Sequence, residues 1–116
     1  DDEEEIALMM REMLEHAGYD VATAESGALA LEMLTEARFD VVVSDLHMPD
    51  MDGASLWREI RSRHPALEHR LLFVTGDTLS PLAQEFFKVS GCAGLDKPFS
   101  RAQLLAGVKA LQDAVP

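Results

Sequence analysis

The stretch VVVSDLHMPDMDG, residues 41–53, decides the fold. The run DVVVS, residues 40–44, is rich in β-branched residues and predicts a strand that is buried on both faces. This run ends at Asp45, and a proline, two further aspartates and a glycine then indicate a turn. In open α/β sheets, ligands bind at the carboxyl ends of the strands. Asp45 is therefore a candidate site residue.

The rest of the chain alternates between helical and strand patterns. Apolar residues at helical spacing predict helices, and short apolar or alternating runs predict strands. The predicted helices are 4–18, 27–38, 54–63, 80–91 and 100–114, and the predicted strands are 19–24, 40–44, 70–76 and 93–96. Ser26, Ser80 and Ser100 are predicted N-caps, and Gly91 is a predicted helix end. This alternation predicts an α/β fold with a doubly wound parallel sheet.

Length and composition restrict the class of protein. The chain of 116 residues suits a single domain with one core. Its formal charge of −11 argues against nucleic acid or an anionic membrane as a direct partner. Apolar runs fall short of the roughly 20 residues that a membrane span needs. Cys92 is the only cysteine, so we expect a buried, reduced thiol and a cytoplasmic protein.

The predicted carboxyl edge of the sheet gathers three carboxylates with a hydroxyl and an amine: Asp1, Asp2, Asp45, Thr75 and Lys97. Clustered carboxylates repel one another unless a cation neutralises them, and Mg²⁺ prefers oxygen ligands. A carboxylate can attack phosphorus, and phosphoryl transfer depends on positioning and charge neutralisation. The set therefore predicts an aspartate that accepts a phosphoryl group with the help of Mg²⁺.

Four segments together resemble the response-regulator receiver family: DDEEEI (1–6), VVVSDLHMPDMDG (41–53), LLFVTGD (71–77) and LDKPF (95–99). They spread over nearly the whole chain at the family's spacing. The resemblance implies one receiver domain over residues 1–116, with a flavodoxin-like fold and the strand order 2-1-3-4-5. The first strand of that order is missing from this chain, and we expect it upstream of residue 1.

The resemblance also implies roles for individual residues. Asp45 would be the phosphoacceptor, and Asp1, Asp2, Asp45 and the backbone carbonyl of His47 would bind Mg²⁺. Thr75 would be the hydroxyl that moves toward the phosphoryl group, and Lys97 would pair with that group. The donor would be a histidine kinase or a histidine phosphotransfer domain. A homodimer through the last helices is left open by the same analogy.

A narrower resemblance covers residues 67–99. This stretch is similar to receivers found in hybrid sensor histidine kinases. One position departs from the family pattern, because Gly94 stands three residues before Lys97, where most receivers carry tyrosine or phenylalanine. The usual coupling of Thr75 to an aromatic rotamer cannot then operate as in the family. Any switch must use helix or loop movement, or be weak.

Other functions compete with this interpretation. A pseudo-receiver would act as an interaction module without cycling phosphate. A haloacid-dehalogenase-type enzyme would need a second aspartate two residues after the nucleophile, where this chain has His47. Residues 48–59 imitate a calcium loop, but Met48 occupies its first ligand position.

Three expectations concern the turn and the fourth predicted helix. Asp50 and Asp52 are expected to be solvated, and Gly53 is expected to relieve a turn. Of the adjacent Phe86 and Phe87, one is expected to face the core and the other to be exposed.

Overall fold

The structure is a computed structural model that describes residues 3–46, 50–76 and 79–113. The side chains of residues 3 and 4 are not described. In chain order the elements are α1 (Glu3–His16), α2 (Gly27–Glu36), β1 (Val42–Asp45), α3 (Gly53–Arg63), a 3-10 turn (Pro65–Leu67), β2 (Leu71–Thr75), α4 (Pro81–Ser90), β3 (Ala93–Asp96) and α5 (Arg101–Gln112). All five predicted helices and three of the four predicted strands are present, with bounds that differ by a few residues at most.

The helix ends follow the local sequence signals. The hydroxyls of Ser26, Ser80 and Ser100 accept backbone N–H groups at the starts of α2, α4 and α5. Gly91 ends α4 in the left-handed region, with φ of 70°. Such residues satisfy backbone groups that a helix end leaves unpaired. The predictions of these caps are confirmed.

The described strands form a parallel sheet in the order β1-β2-β3. The prediction of a strand over residues 19–24 is wrong for this structure, because the segment adopts no regular structure. In the predicted order its neighbour is the first strand, which none of the described residues forms. A strand needs a partner ladder for its hydrogen bonds. Tyr19 and Val21 pack instead on the cluster between the sheet and helices α1 and α5.

Helices cover both faces of this sheet. On one face, Met10 and Leu14 of α1 pack with Leu104 and Val108 of α5 against β2. On the other face, α2, α3 and α4 pack around Phe73, which is fully buried. This arrangement confirms the predicted doubly wound α/β architecture. None of the helices in the described ranges is long and apolar enough to cross a membrane.

Candidate functional site

The carboxyl edge of the sheet brings together three of the predicted site residues. Asp45 is the last residue of β1, Thr75 is the last residue of β2, and Lys97 directly follows β3. The Lys97 ammonium donates to Asp45 Oδ2 at 2.5 Å. The Lys97 backbone N–H donates to the Thr75 carbonyl oxygen at 2.9 Å. The parallel register therefore places a carboxylate, a hydroxyl residue and an amine at one edge.

These three side chains differ in exposure. Thr75 is fully buried, whereas the side chains of Asp45 and Lys97 are 13% and 26% exposed. A partly exposed carboxylate can be reached by a reagent from solvent, and its ion pair lies where water screens it only in part. The site therefore offers an accessible oxygen nucleophile beside a fixed positive charge.

The loop after β1 is closed at its neck by backbone hydrogen bonds. The Leu46 N–H donates to the Val74 carbonyl at 2.9 Å, and the Gly53 N–H donates to the Leu46 carbonyl at 2.8 Å. A Cβ at residue 53 would collide with Leu46 Cδ1 and lie 3.2 Å from the Leu46 carbonyl oxygen. Gly53 therefore lets the chain after β1 close tightly against Leu46. It is the first residue of α3, and it is small because Leu46 fills the adjacent space.

Asp50 and Asp52 are exposed to solvent, as expected, and both also accept backbone N–H groups. Asp52 is the N-cap of α3 and accepts from the Ser55 N–H at 2.8 Å. Asp50 accepts from the Gly27 N–H at 3.0 Å and from the Ala28 N–H at 3.1 Å, at the start of α2. These donors hold the pKa of the Asp50 carboxyl below its ordinary value. Both carboxylates accept N–H groups at the starts of helices, which disfavours the alternative of a calcium-binding loop.

The local sequence contains a signal for only one of these two contacts. Asp52 directly precedes a helical pattern, which is the preferred place for an N-cap aspartate. The partners of Asp50 lie 22 and 23 residues away in the chain. A contact of this kind depends on how α2 and the loop meet, so local pattern reasoning could not find it.

The predicted Mg²⁺ ligands are only partly within the described residues. Asp1, Asp2 and His47 lie outside them, and Asp45 lies inside. Over residues 3–46, 50–76 and 79–113, no group of three histidine, cysteine, aspartate or glutamate side chains could hold a metal ion. Asp45 supplies an accessible carboxylate at the sheet edge, the type of oxygen ligand that Mg²⁺ prefers. Asp45 is thus the one proposed donor within the described residues, and its carboxylate is of a type that can bind the ion.

The space above Gly94 is filled from helix α4. A Cβ at Gly94 would lie 2.8 Å from Phe87 Cζ and 2.9 Å from Phe87 Cε1. Phe86 packs edge-on against Phe73 and Trp57, with ring centroids 5.2 and 6.1 Å away. Both phenylalanines are half-buried against the core, so the expectation that one of them is exposed is wrong.

Cys92 is partly buried beside this cluster. Burial raises the pKa of its thiol above the ordinary value. A raised pKa leaves little thiolate at neutral pH, and thiolate is the reactive form. Cys92 thus has the properties of a packing residue, as expected, although it is less buried than expected.

Comparisons with known proteins agree with this geometry. The family model described as the response regulator receiver domain matches residues 1–109. Sensor kinase CckA of Brucella abortus is 38% identical over 111 residues, which cover 94% of this chain and 12% of CckA. Chemotaxis protein CheY4 of Vibrio cholerae superposes with a TM-score of 0.83 at 35% identity, covering 96% of this chain and 92% of that chain.

A third protein is similar in structure and carries a metal. The receiver domain of sensor histidine kinase PA1611 from Pseudomonas aeruginosa has a magnesium ion coordinated in its active site cleft. It matches with a TM-score of 0.85 at 26% identity, covering 98% of this chain and 93% of that chain. The chain spans 12% of the length of CckA. It spans 46% of the length of another relative, the transcriptional regulatory protein RprY.

Proposed function

Because the chain belongs to the response-regulator receiver family, we propose that Asp45 accepts a phosphoryl group from a phosphohistidine. The family and its flavodoxin-like fold confirm the resemblance found in the sequence, and the chain is a receiver domain of a two-component system. The observation that supports the residue assignment is the ion pair between Lys97 and Asp45, beside buried Thr75, at the carboxyl edge of the sheet.

The proposed reaction needs one bond to form and one to break. An Asp45 carboxylate oxygen bonds to phosphorus while the bond from phosphorus to the imidazole nitrogen of the donor breaks. The electron pair stays with the imidazole, which then takes a proton. Lys97 offsets negative charge on a phosphoryl oxygen, and the Thr75 hydroxyl donates to another. Attack of water on the resulting acyl phosphate restores Asp45 and releases phosphate.

The proposed metal is Mg²⁺, held by Asp1, Asp2, Asp45 and the backbone carbonyl of His47. When bound, Mg²⁺ neutralises charge on the phosphoryl oxygens. Receivers in general bind Mg²⁺ in their active sites, and the PA1611 receiver provides a solved case. The accessible carboxylate of Asp45 supports the assignment for this chain.

The proposed donor is a histidine kinase or a histidine phosphotransfer domain. The similarity to sensor kinase CckA and to the PA1611 receiver supports the proposal that this receiver belongs to a hybrid sensor histidine kinase. The charge of −11 supports a domain without direct contact to nucleic acid or membrane. The single cysteine supports a cytoplasmic location. A homodimer through the last helices stays a prediction.

We further propose that residues 1–116 are one domain whose first strand precedes residue 1. Two features support this: β1 pairs within the described residues with β2 alone, and residues 19–24 form no ladder. In a chain extended by its natural upstream residues, amide hydrogen exchange at Val43 should slow markedly. Unchanged exchange at Val43 would contradict the proposed strand.

The test of the acceptor is intact mass after incubation with Mg²⁺ and acetyl phosphate, in the extended chain. We expect one added phosphoryl group in the parent protein and none in Asp45→Asn, because an amide is a poor nucleophile. Omitting Mg²⁺ should slow the gain strongly. No gain in a folded parent protein would contradict the proposal and support the pseudo-receiver, which the family match does not favour.

A further inference from the structure

A groove runs between helices α2 and α3, on the face of the sheet that carries Phe73. Its volume is about 470 Å³, which lies within the range of clefts that hold small ligands. Six of its lining residues carry the argument: Leu31, Glu32, Glu36, Met51, Glu59 and Arg63. None of these six belongs to the set proposed for phosphoryl transfer, so the groove is a separate feature of the molecule.

The floor of the groove is apolar. Leu31 of α2 is only 6% exposed and belongs to the core cluster on this face. Met51, in the segment before α3, is half-buried against the same cluster. Covering such surface with another apolar side chain removes it from water, which is favourable. The floor therefore suits an apolar side chain of a ligand.

Two glutamates of α2 make the rim of the groove acidic. Glu32 and Glu36 are exposed and four residues apart, so they lie on the same side of the helix and repel each other. Glu36 is also the last residue of α2, where the negative end of the helix dipole disfavours a carboxylate. No ion pair among the described residues includes either glutamate. A bound cation would relieve both unfavourable interactions.

The opposite rim, on α3, carries a third glutamate beside an arginine. Arg63 Nε lies 3.0 Å from Glu59 Oε1, one helical turn earlier. Their side chains are 58% and 42% exposed, and ion pairs this exposed contribute little to stability. The lining thus sets three carboxylates against the guanidinium of Arg63, and the groove attracts positive charge.

We propose that the groove between α2 and α3 binds a basic segment of a partner protein. An apolar side chain of that segment covers Leu31 and Met51, and lysine or arginine side chains pair with Glu32 and Glu36. Charge complementarity selects this occupant, because an acidic segment would be repelled and an apolar one would desolvate the carboxylates without a cation. A second copy of this chain fits poorly, since its formal charge is −11. The inference does not depend on the proposed phosphoryl transfer.

The probe is the peptide acetyl-Lys-Leu-Lys-amide, added to the isotope-labelled chain extended by its natural upstream residues. Shifts of the amide signals in NMR spectra locate the peptide, and their dependence on concentration gives the Kd. We expect the shifts to concentrate in α2 and α3. At about 0.1 M salt, charges more than roughly 10 Å from the peptide are largely screened. Acetyl-Lys-Ser-Lys-amide should bind more weakly, because serine covers the apolar floor poorly, and acetyl-Glu-Leu-Glu-amide should not bind.

Variants of opposite sign test the charges of the groove. Glu32→Gln and Glu36→Gln should each raise the Kd of the lysine–leucine peptide about 3-fold, since each removes one exposed ion pair. Arg63→Gln removes a repelling charge from the lining and should lower the Kd about 2-fold. The matched controls are Glu12→Gln on α1 and Arg101→Gln on α5, exposed residues of helices on the other face of the sheet. Both controls should leave the Kd unchanged.

Thermal unfolding shows that the variants are folded. Glu32→Gln removes a like-charge repulsion and should raise the melting temperature slightly, so weaker peptide binding by this variant cannot come from unfolding. The proposal is overturned if the control variants change the Kd as much as the groove variants do, because overall charge would then explain binding. Shifts confined to other elements would also overturn it. If the serine peptide and spermidine bind as tightly as the lysine–leucine peptide, the groove is a site for small cations, and the proposed peptide segment is wrong.

Discussion

Strands β1 and β2 both begin with apolar residues and end with a polar one, and they differ in their surroundings. All five residues of β2 are buried, and β1 and β3 flank it. In β1 only Ser44 is buried, and its other three residues are half-buried. Within the described ranges β1 pairs with β2 alone. An apolar run therefore makes a segment suitable for the interior, and the number of neighbouring strands decides how far it is buried.

The difference extends to the residues at the strand ends. Thr75 ends the central strand and is fully buried, whereas the Asp45 side chain at the end of β1 is 13% exposed. A phosphoacceptor must be reached by its donor, while a hydroxyl that only stabilises the product can lie deeper. The proposed roles of the two residues match their exposures.

The largest expected effect compares one side chain from each strand. Phe73→Ala in β2 removes a fully buried ring and should lower the free energy of unfolding by about 4 kcal/mol. Val43→Ala in β1 removes two half-buried methyl groups and should lower it by about 1 kcal/mol. Urea unfolding measures both values. Equal losses would show that β1 is as well packed as β2.

The next largest loss of stability is expected from a glycine substitution in the segment after each strand, at Gly53 and at Gly76. A Cβ at Gly53 would meet Leu46, so Gly53→Ala should lower the free energy of unfolding by about 2 kcal/mol. Gly76 follows β2 and has nothing within 4 Å of an added Cβ. Gly76→Ala should stay within about 0.5 kcal/mol of the parent. If Gly53→Ala were equally mild, the close packing of the β1 loop would be disproved.

The smallest expected effect is a pH-dependent melting temperature, which we expect from Asp50 after β1 and not from the segment after β2. The backbone donors Gly27 and Ala28 lower the pKa of Asp50 below its ordinary value of 3.8. A group with a lowered pKa in the folded state stabilises the fold above its unfolded pKa, and this contribution disappears as pH falls through the folded pKa. The difference in melting temperature between the parent and Asp50→Asn should therefore shrink in acid, below about pH 4.

The segment after β2 supplies the control for this titration. Ser80 caps α4 with a hydroxyl that accepts from the Ala83 N–H at 3.1 Å, and a hydroxyl does not titrate in acid. The melting-temperature loss of Ser80→Ala should be the same at both ends of the pH range. Because Asp50 is exposed, salt should reduce its effect by screening. If the difference in melting temperature between the parent and Asp50→Asn persists in acid, the effect comes from the shape of the side chain and not from its charge.

Features that depend on neighbouring residues in the chain were predictable from the sequence. The caps at Ser26, Ser80 and Ser100 bond to N–H groups three residues away, so local patterns suffice. The strand over 19–24 was predicted wrongly because a ladder needs a partner, which no local pattern supplies. Asp50 was missed for the same reason, since its partners lie on another element.

The candidate site was predictable for a related reason. In a parallel sheet the strand ends meet at one edge, so the order of elements alone brings Asp45, Thr75 and Lys97 together. Lys97 pairs with Asp45 at this edge, while the roles of Asp45, Thr75 and Lys97 in phosphoryl transfer stay predictions. The roles of Asp1, Asp2 and His47 stay predictions, because these residues lie outside the described ranges.

The contact between Gly94 and Phe87 has a consequence for how such domains are compared. A position-by-position alignment records Gly94 as the loss of an aromatic side chain. In three dimensions, an aromatic ring does cover that point of β3, but it is attached to α4. The ring volume at this point of the sheet is thus supplied by α4, and a comparison that reads only the column of residue 94 would miss it.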